Sequence, residues 1–484
     1  MKKKQEFFID KFLEERVAYH PTKNYRFDKI CTIVRDALTE EWSLHDDRGK
    51  ISTLEREKNA IIGKEEAVSY YKEKIKSILR ERNLSGEAFP EYYPSLIEGV
   101  FHENWGLAGL APWAYDSTEA YKNSSSAKII GNRLYCLIDG VEELQEQRLS
   151  DRRRLQLKKA LLLGTPEERL EAGFHEVYLQ NGIRVTIYSG ERTKDGQDVM
   201  VFRKYVLKEL TFENMAAFGT IPKECIPLLY AMTEIGFNVL FSGQVRSGKT
   251  TFMICWQKYE DIRLEGLAIA TDPETPWHEI MPDAPIMQIV ADGEDLARIT
   301  KSLLRGDNDY VLLEEMRDAT AFNLALDITS TGTQRSKGTI HTNKAADIPY
   351  KMASKIIAKY GGDLNAVISQ VFQNFNYVLE FFQVSTDKAQ KRLKGISEFR
   401  YDEQKDECSI HRICDYSYEA DSWTFVYDIG EDKRQLGLAY PESMKKMETV
   451  LEHLAKKYPC QKEHVLKPAY YKSDKYRKGK EKGE

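Results

Sequence analysis

The chain has 484 residues, more than one hydrophobic core usually serves, so two or three domains are expected. With 42% apolar and 30% charged residues it holds enough matter for packed cores beneath a solvated surface, which excludes a disordered chain. A formal net charge of −5 gives the whole molecule no electrostatic preference for nucleic acid or anionic lipid, so any such preference must be local.

No apolar run approaches the roughly 18 to 20 residues of a bilayer-spanning helix, and the Met-Lys-Lys-Lys start leads into a charged amphipathic stretch. A cytoplasmic protein is expected. The cysteines at 31, 136, 225, 255, 408, 414 and 460 are odd in number and lack Cys-x-x-Cys spacing, which argues for reduced structural thiols over disulfides or a zinc site.

Residues 1–105 read as a helical extension: Val68, Tyr71, Ile75, Ile78 and Arg82 recur at spacings of three and four, a face that packs on a neighbouring domain or a partner. Across 106–210 the pattern turns to short alternating runs, such as 128–140 and 181–188, broken by Asn-Gly and Asp-Gly turns, which predicts an α+β domain. The run 194–206 opens on a glycine turn and continues as β carrying Arg203, and 211–235 reads as a helical linker. From 236 to 400 strands and helices alternate, a βαβ pattern with a parallel sheet and thus an α/β domain. The fold of 401–471 is left open. Residues 472–484, dense in Lys, Gly and Glu, cannot bury a core and are expected to be disordered.

The chemistry begins at 243–250, Gly-Gln-Val-Arg-Ser-Gly-Lys-Thr, which follows an apolar strand and opens a helix. In this P-loop pattern the glycines let backbone N–H groups wrap phosphates, and the helix N-terminus adds its partial positive charge. Gly243, Gln244, Val245, Arg246, Ser247, Gly248, Lys249, Thr250 and Thr251 are the expected nucleotide contacts. Lys249 is suited to the β and γ phosphates of ATP, and the Thr250 hydroxyl to Mg²⁺.

About 60 residues on, 309–317 forms a short apolar strand that delivers Glu314 and Glu315 to its carboxyl end, the edge at which α/β sheets bind ligands. Successive strand side chains point oppositely, so one of the two faces the nucleotide. Its role is to orient the water that attacks the γ phosphorus, since phosphoryl transfer asks mainly for positioning and charge stabilisation. His341 ends the next strand-like run, 336–343, on the same edge, where it can sense the γ phosphate.

These boxes resemble the secretion or traffic ATPases of type II and type IV secretion and of pilus assembly, with the CpaF-like branch of tight-adherence pilus systems the best match. The family's Walker B element, Gly-Glu-x-Arg, reads Glu314-Glu-Met-Arg317 here, and its histidine box reads Thr339-Ile-His-Thr-Asn343. The resemblance implies that Glu315 is the catalytic glutamate, with Arg317, His341 and Arg305, the arginine ahead of Walker B, beside it. Arg184 and Arg203 match arginines that the amino-terminal domain supplies near the nucleotide. It also implies a RecA-like ATPase domain, a homohexameric ring, domain closure as the power stroke, and integral-membrane platform proteins as partners.

Three positions depart from the family: its acidic Glu-Asp box is Thr271-Asp272, its Walker B glycine is Glu314, and its following glycine is Asp318. Asp272, with Glu274 two residues on, then remains for the Mg²⁺ shell, and the charge at Glu314 disturbs local ionisation, consistent with slow turnover. Two rival readings share the P-loop. A RecA-like nucleic-acid motor needs a basic, aromatic-lined channel, whereas the local basic excess lies in the tail and around 151–155. A scaffold would bind ATP with weak hydrolysis.

Overall fold

The computed structural model describes residues 25–43, 47–162, 170–171, 174–188, 193–194, 197–204, 209–270, 275–291, 293–384 and 390–469. It divides into two compact units, Met1–Val206 and Leu207–Glu484. Asp272 and Glu274, and the tail 472–484, lie outside the described residues.

The first unit combines the helices Tyr25–Ser43, Asp47–Ile62, Glu65–Glu81 and Leu96–Trp105 with a sheet of seven strands. These are β1 (Ser126–Ile130), β2 (Arg133–Ile138), β3 (Val141–Arg148), β4 (Leu170–Glu171), β5 (Phe174–Tyr178), β6 (Arg184–Tyr188) and β7 (Val199–Arg203), in the order β3-β2-β1-β7-β6-β5-β4. Every pairing is antiparallel. The β2–β3 hairpin turns through Asp139 and Gly140, both at positive φ, the two-residue turn whose twist matches that of the strands.

Helices and sheet share one core: Tyr71 and Ile75 of Glu65–Glu81, with Trp105, join Ile129 and Phe202 of the sheet. Tyr71 stacks on Trp105 with ring centroids 4.9 Å apart. The buried stripe of Glu65–Glu81 is Ala67, Tyr71, Ile75 and Leu79. Val68 and Ile78 flank it half-buried, and Arg82 is exposed. The stripe thus runs at a strict spacing of four.

The second unit is built on one long sheet. Six strands run parallel: β8 (Val239–Gly243), β9 (Gly266–Ala270), β10 (Ile286–Val290), β11 (Tyr310–Met316), β12 (Lys337–Ile340) and β13 (Tyr377–Gln383), in the order β10-β9-β11-β12-β8-β13. β14 (Lys391–Asp402), β15 (Glu407–Ser417) and β16 (Ser422–Phe425) extend it antiparallel, and the short β17 (Val465–Leu466) pairs with β15. Residues 401–469 therefore continue the parallel sheet with antiparallel strands and return across it.

Strands buried on both faces read as continuous apolar runs, and β8 and β9 are buried at every position. Alternate residues go to opposite cores, since successive side chains point to opposite faces. Val239, Phe241 and Leu312 enter one core with the helices Ile226–Ile235, Lys249–Gln257 and Pro441–Lys457. Leu240, Val311 and Leu313 enter the other with Ala319–Ser330, Ile348–Tyr360 and Leu364–Asn374. The stretch 211–235 is packed into the first of these cores through Phe212, Leu228 and Met232. Among the described residues no helix is long and apolar enough to cross a membrane.

Candidate phosphate-binding site

The site forms at the carboxyl ends of β8, β12 and β11, three neighbours in the sheet, which is where parallel sheets open to ligands. β8 ends in Gly243 at φ 149°, where a Cβ would lie 2.2 Å from the Phe381 carbonyl oxygen and 2.6 Å from Ser247 Oγ. Only glycine permits that approach. Gly248, left-handed at φ 91°, caps the helix Lys249–Gln257, so the first N–H groups of that helix face the loop without intrahelical partners.

Gln244, Val245 and Arg246 are exposed, and Thr250 and Thr251 half-buried. Ser247 Oγ is buried and has no hydrogen-bond partner among the described residues. An orphaned hydroxyl, a glycine cradle and a bare helix N-terminus fit the phosphates of a nucleotide, and the half-buried Thr250 stands in the first turn of that helix.

A bonded chain runs from this loop to β11. Lys249 Nζ donates to the Gln244 carbonyl oxygen at 2.8 Å and lies 3.3 Å from His341 Nδ1. His341 Nε2 lies 2.9 Å from Glu315 Oε1, and Arg317 Nη2 pairs with the same oxygen at 2.5 Å. An ammonium can only donate, so Nδ1 of His341 accepts and Nε2 carries the proton given to Glu315. Burial pulls Lys249 down to about 8, against the attraction of Glu315. Burial would raise Glu315, but hydrogen bonds from His341 and Arg317 overcome it and hold the carboxyl at about 2. It is therefore ionised at neutral pH.

Glu315 owes its direction to an irregular backbone. Its φ is 55°, unusual for a residue with a side chain, and the β11–β12 register shifts between Leu313 and Met316, a bulge. Its N–H donates to Thr339 Oγ1 at 2.7 Å. Glu314 consequently turns away. It is buried, accepting from Thr275 Oγ1 at 2.7 Å and Trp277 Nε1 at 2.6 Å. Burial, opposed by those two bonds, pushes it up to about 7. Asp318 is a helix cap, its carboxylate accepting from Ala321 N–H at 2.9 Å.

The structure thus brings together Lys249, His341, Glu315 and Arg317. Arg305 is exposed in the turn after the helix Gly293–Leu303 and takes no part in this chain of bonds. Arg184 and Arg203 belong to the first unit, where they face each other across β6 and β7. Sequence reasoning placed Thr339 in the histidine box without its role of holding the bulge, and it missed Thr275 and Trp277, which take up Glu314. It also missed Glu380 of β13, which accepts from Ala345 N–H at 3.0 Å just past the histidine box. Thr339 and Glu380 come from neighbouring strands and Thr275 and Trp277 from the connection between β9 and β10, and residues so far apart in sequence carry no local pattern.

Within the basic run 151–155, Arg153 and Arg154 are buried, whereas Asp151, Arg152 and Leu155 are exposed. Arg153 is buried and donates to the carbonyl oxygens of Asn104 at 2.9 Å and His102 at 3.2 Å, and Arg154 pairs with Asp198. Two of its three arginines are therefore spent on the fold and offer nothing to a nucleic-acid backbone.

The loop, its strand and its helix define a P-loop nucleotide-binding fold. Residues 192–409, just under half of the chain, match the family described as Type II/IV secretion system protein, a stretch that runs from ahead of β7 into β15. An uncharacterized protein of Methanocaldococcus jannaschii is 22% identical over 278 residues, covering 55% of this chain and 98% of its own. Among solved structures, the VirB11 ATPase of the Brucella suis type IV secretion system aligns at 16% identity and a TM-score of 0.32, over 60% of this chain and 95% of its own. The ATPase DotB of Legionella pneumophila aligns at 15% and 0.43, over 76% and 90%. The pilus retraction motor PilT aligns at 16% and 0.42, over 70% and 92%.

Proposed function

We propose that this chain is an ATP-hydrolysing motor of the type II/IV secretion kind, serving secretion or pilus assembly. The observation that carries the reading is the bonded chain from Lys249 through His341 to Glu315 and Arg317 on one sheet edge, inside the stretch that matches the secretion family. Lys249 meets the β and γ phosphates, exchanging its present carbonyl and imidazole partners for phosphate oxygens. Glu315, ionised and weakly basic, orients the attacking water more than it removes its proton. His341 relays the state of Lys249 to Glu315 through its two ring nitrogens. Thr250, with Asp272 and Glu274, would hold Mg²⁺, which would supply neutralisation of charge on the phosphate oxygens.

The finer reading follows the same line: a CpaF-like hexamer, cytoplasmic and held at the inner face of the membrane by platform proteins. Arg184, Arg203 and Arg305 are the arginines proposed to reach a nucleotide, one of them across a subunit boundary, and such a finger is worth about 10³ to 10⁵ in rate. Nucleic acid is not expected as a partner.

The test is hydrolysis by the purified full chain. Lys249→Ala should abolish ATP turnover, and Glu315→Gln should bind ATP yet turn over at least about 100-fold more slowly than the native chain. A Glu315→Gln rate equal to the native one would leave ATP as a structural ligand only and favour the scaffold reading.

A further inference from the structure

Three side chains from separate segments converge where the carboxyl-terminal stretch returns to the sheet. His411 lies on β15, Asp428 follows β16, and His464 immediately precedes β17. Their side-chain donor atoms all lie within 4.8 Å of one another. His411 Nδ1 is 2.6 Å, and His464 Nε2 3.1 Å, from the same oxygen, Oδ2 of Asp428. The backbone fixes this meeting: Arg412 N–H donates to the His464 carbonyl oxygen at 2.8 Å, and His411 is the register partner of Val465.

We propose that His411, Asp428 and His464 form a three-ligand site for a first-row divalent metal ion, Zn²⁺ being the best match. Two imidazoles and one carboxylate are the donor set such an ion takes, at bonds of about 2.0 to 2.2 Å. Small side-chain shifts open the three atoms to that spacing. The surrounding groups already serve as supports. Ser409 Oγ lies 3.0 Å from His411 Nε2, which fixes the ring and leaves Nδ1 for the ion. Arg400 Nη2 holds Asp428 Oδ1 at 2.9 Å, leaving Oδ2 as a single ligand oxygen and balancing the remaining carboxylate charge.

The side chains are 14%, 24% and 34% exposed, enough for an ion to enter and for water to complete its shell. Binding requires each imidazole proton that now points at Oδ2 to move to the other nitrogen of its ring, Nε2 of His411 and Nδ1 of His464, and it joins β15, the segment after β16 and the segment before β17 into one clip. The site shares no residue with the phosphate loop, so it stands or falls independently of the motor reading.

The experiment uses the full chain, stripped with chelator and dialysed, titrated with Zn²⁺ alone at pH 7 by calorimetry. One equivalent is expected at this site, and His464→Gln should weaken it at least about tenfold. No binding by the native chain, or equal affinity and stoichiometry in His464→Gln, overturns the proposal and leaves a hydrogen-bonded cluster only. Should that variant fail to fold, the native chain decides. Zn²⁺ should shield His411 and His464 from diethylpyrocarbonate, read by peptide mass spectrometry, while the exposed His278 and His453 react unchanged. Equal reaction at all four histidines overturns the proposal.

Discussion

Glu314 and Glu315 are chain neighbours that ionise in opposite senses. Burial raises Glu314 from 4.5 to about 7, so over that interval the folded state keeps a proton which the unfolded chain has released. The stability it contributes is complete below about pH 4.5, falls as pH rises, and is lost above about 7; at most about 3 kcal/mol is at stake. Glu315, held at about 2, contributes stability that is present above 4.5 and lost as pH falls towards 2. The melting temperature should therefore drop between pH 5 and 8 more steeply in the native chain than in Glu314→Gln. Equal slopes in the two proteins would contradict the buried, protonated Glu314. The backbone of Glu315 permits a second measurement. In an ordinary strand Gly is less stable than Ala by about 0.5 to 1 kcal/mol, but a left-handed residue with a Cβ costs about 1 to 2 kcal/mol. At φ 55° the order should invert, Glu315→Gly unfolding at higher urea than Glu315→Ala while both lack turnover. The P-loop was legible because its glycines are demanded by local backbone geometry. That Glu314 faces inward was legible only as one of two alternatives, because its partners Thr275 and Trp277 are brought by the connection between β9 and β10.

The elements beneath the site are tied by charges that no periodicity shows. Lys337 of β12 has no exposed surface and pairs with Glu260 at 2.6 Å, while Arg335 takes the other carboxylate oxygen at 2.5 Å. Burial pulls the Lys337 ammonium below its ordinary range and Glu260 works against that. Removing the acid strands two cations, one wholly buried. Glu260→Gln should cost about 3 to 5 kcal/mol in urea unfolding, and adding Lys337→Met should restore part of it. Additive losses would show that the two residues act separately. Charged residues read from sequence default to the surface, which is why this pair was missed, and why Arg153 and Arg154 looked like a basic patch. The antiparallel extension was missed for another reason: 401–471 has no motif, and its strands matter only as additions to an edge that β13 supplies.

At the scale of the molecule, the described residues hold separate cores, one in the first unit and two on the faces of the second unit's sheet. Units with their own cores unfold as separate transitions. Scanning calorimetry should resolve two, and a non-hydrolysable ATP analogue at 100 times its Kd should raise one of them, by the equivalent of about 2.7 kcal/mol, leaving the other in place. A single transition that moves as a whole would refute that independence. The left-handed Glu315 also bears on how this sequence can change. Most proteins sit near a stability threshold, and selection for heat resistance gathers whatever relieves strain. At this codon the relieving residues, Gly and Asn, are those that delete the carboxylate. A library of this chain screened only for heat resistance should therefore enrich inactive members at position 315, and lineages that keep the glutamate retain the strained backbone with it.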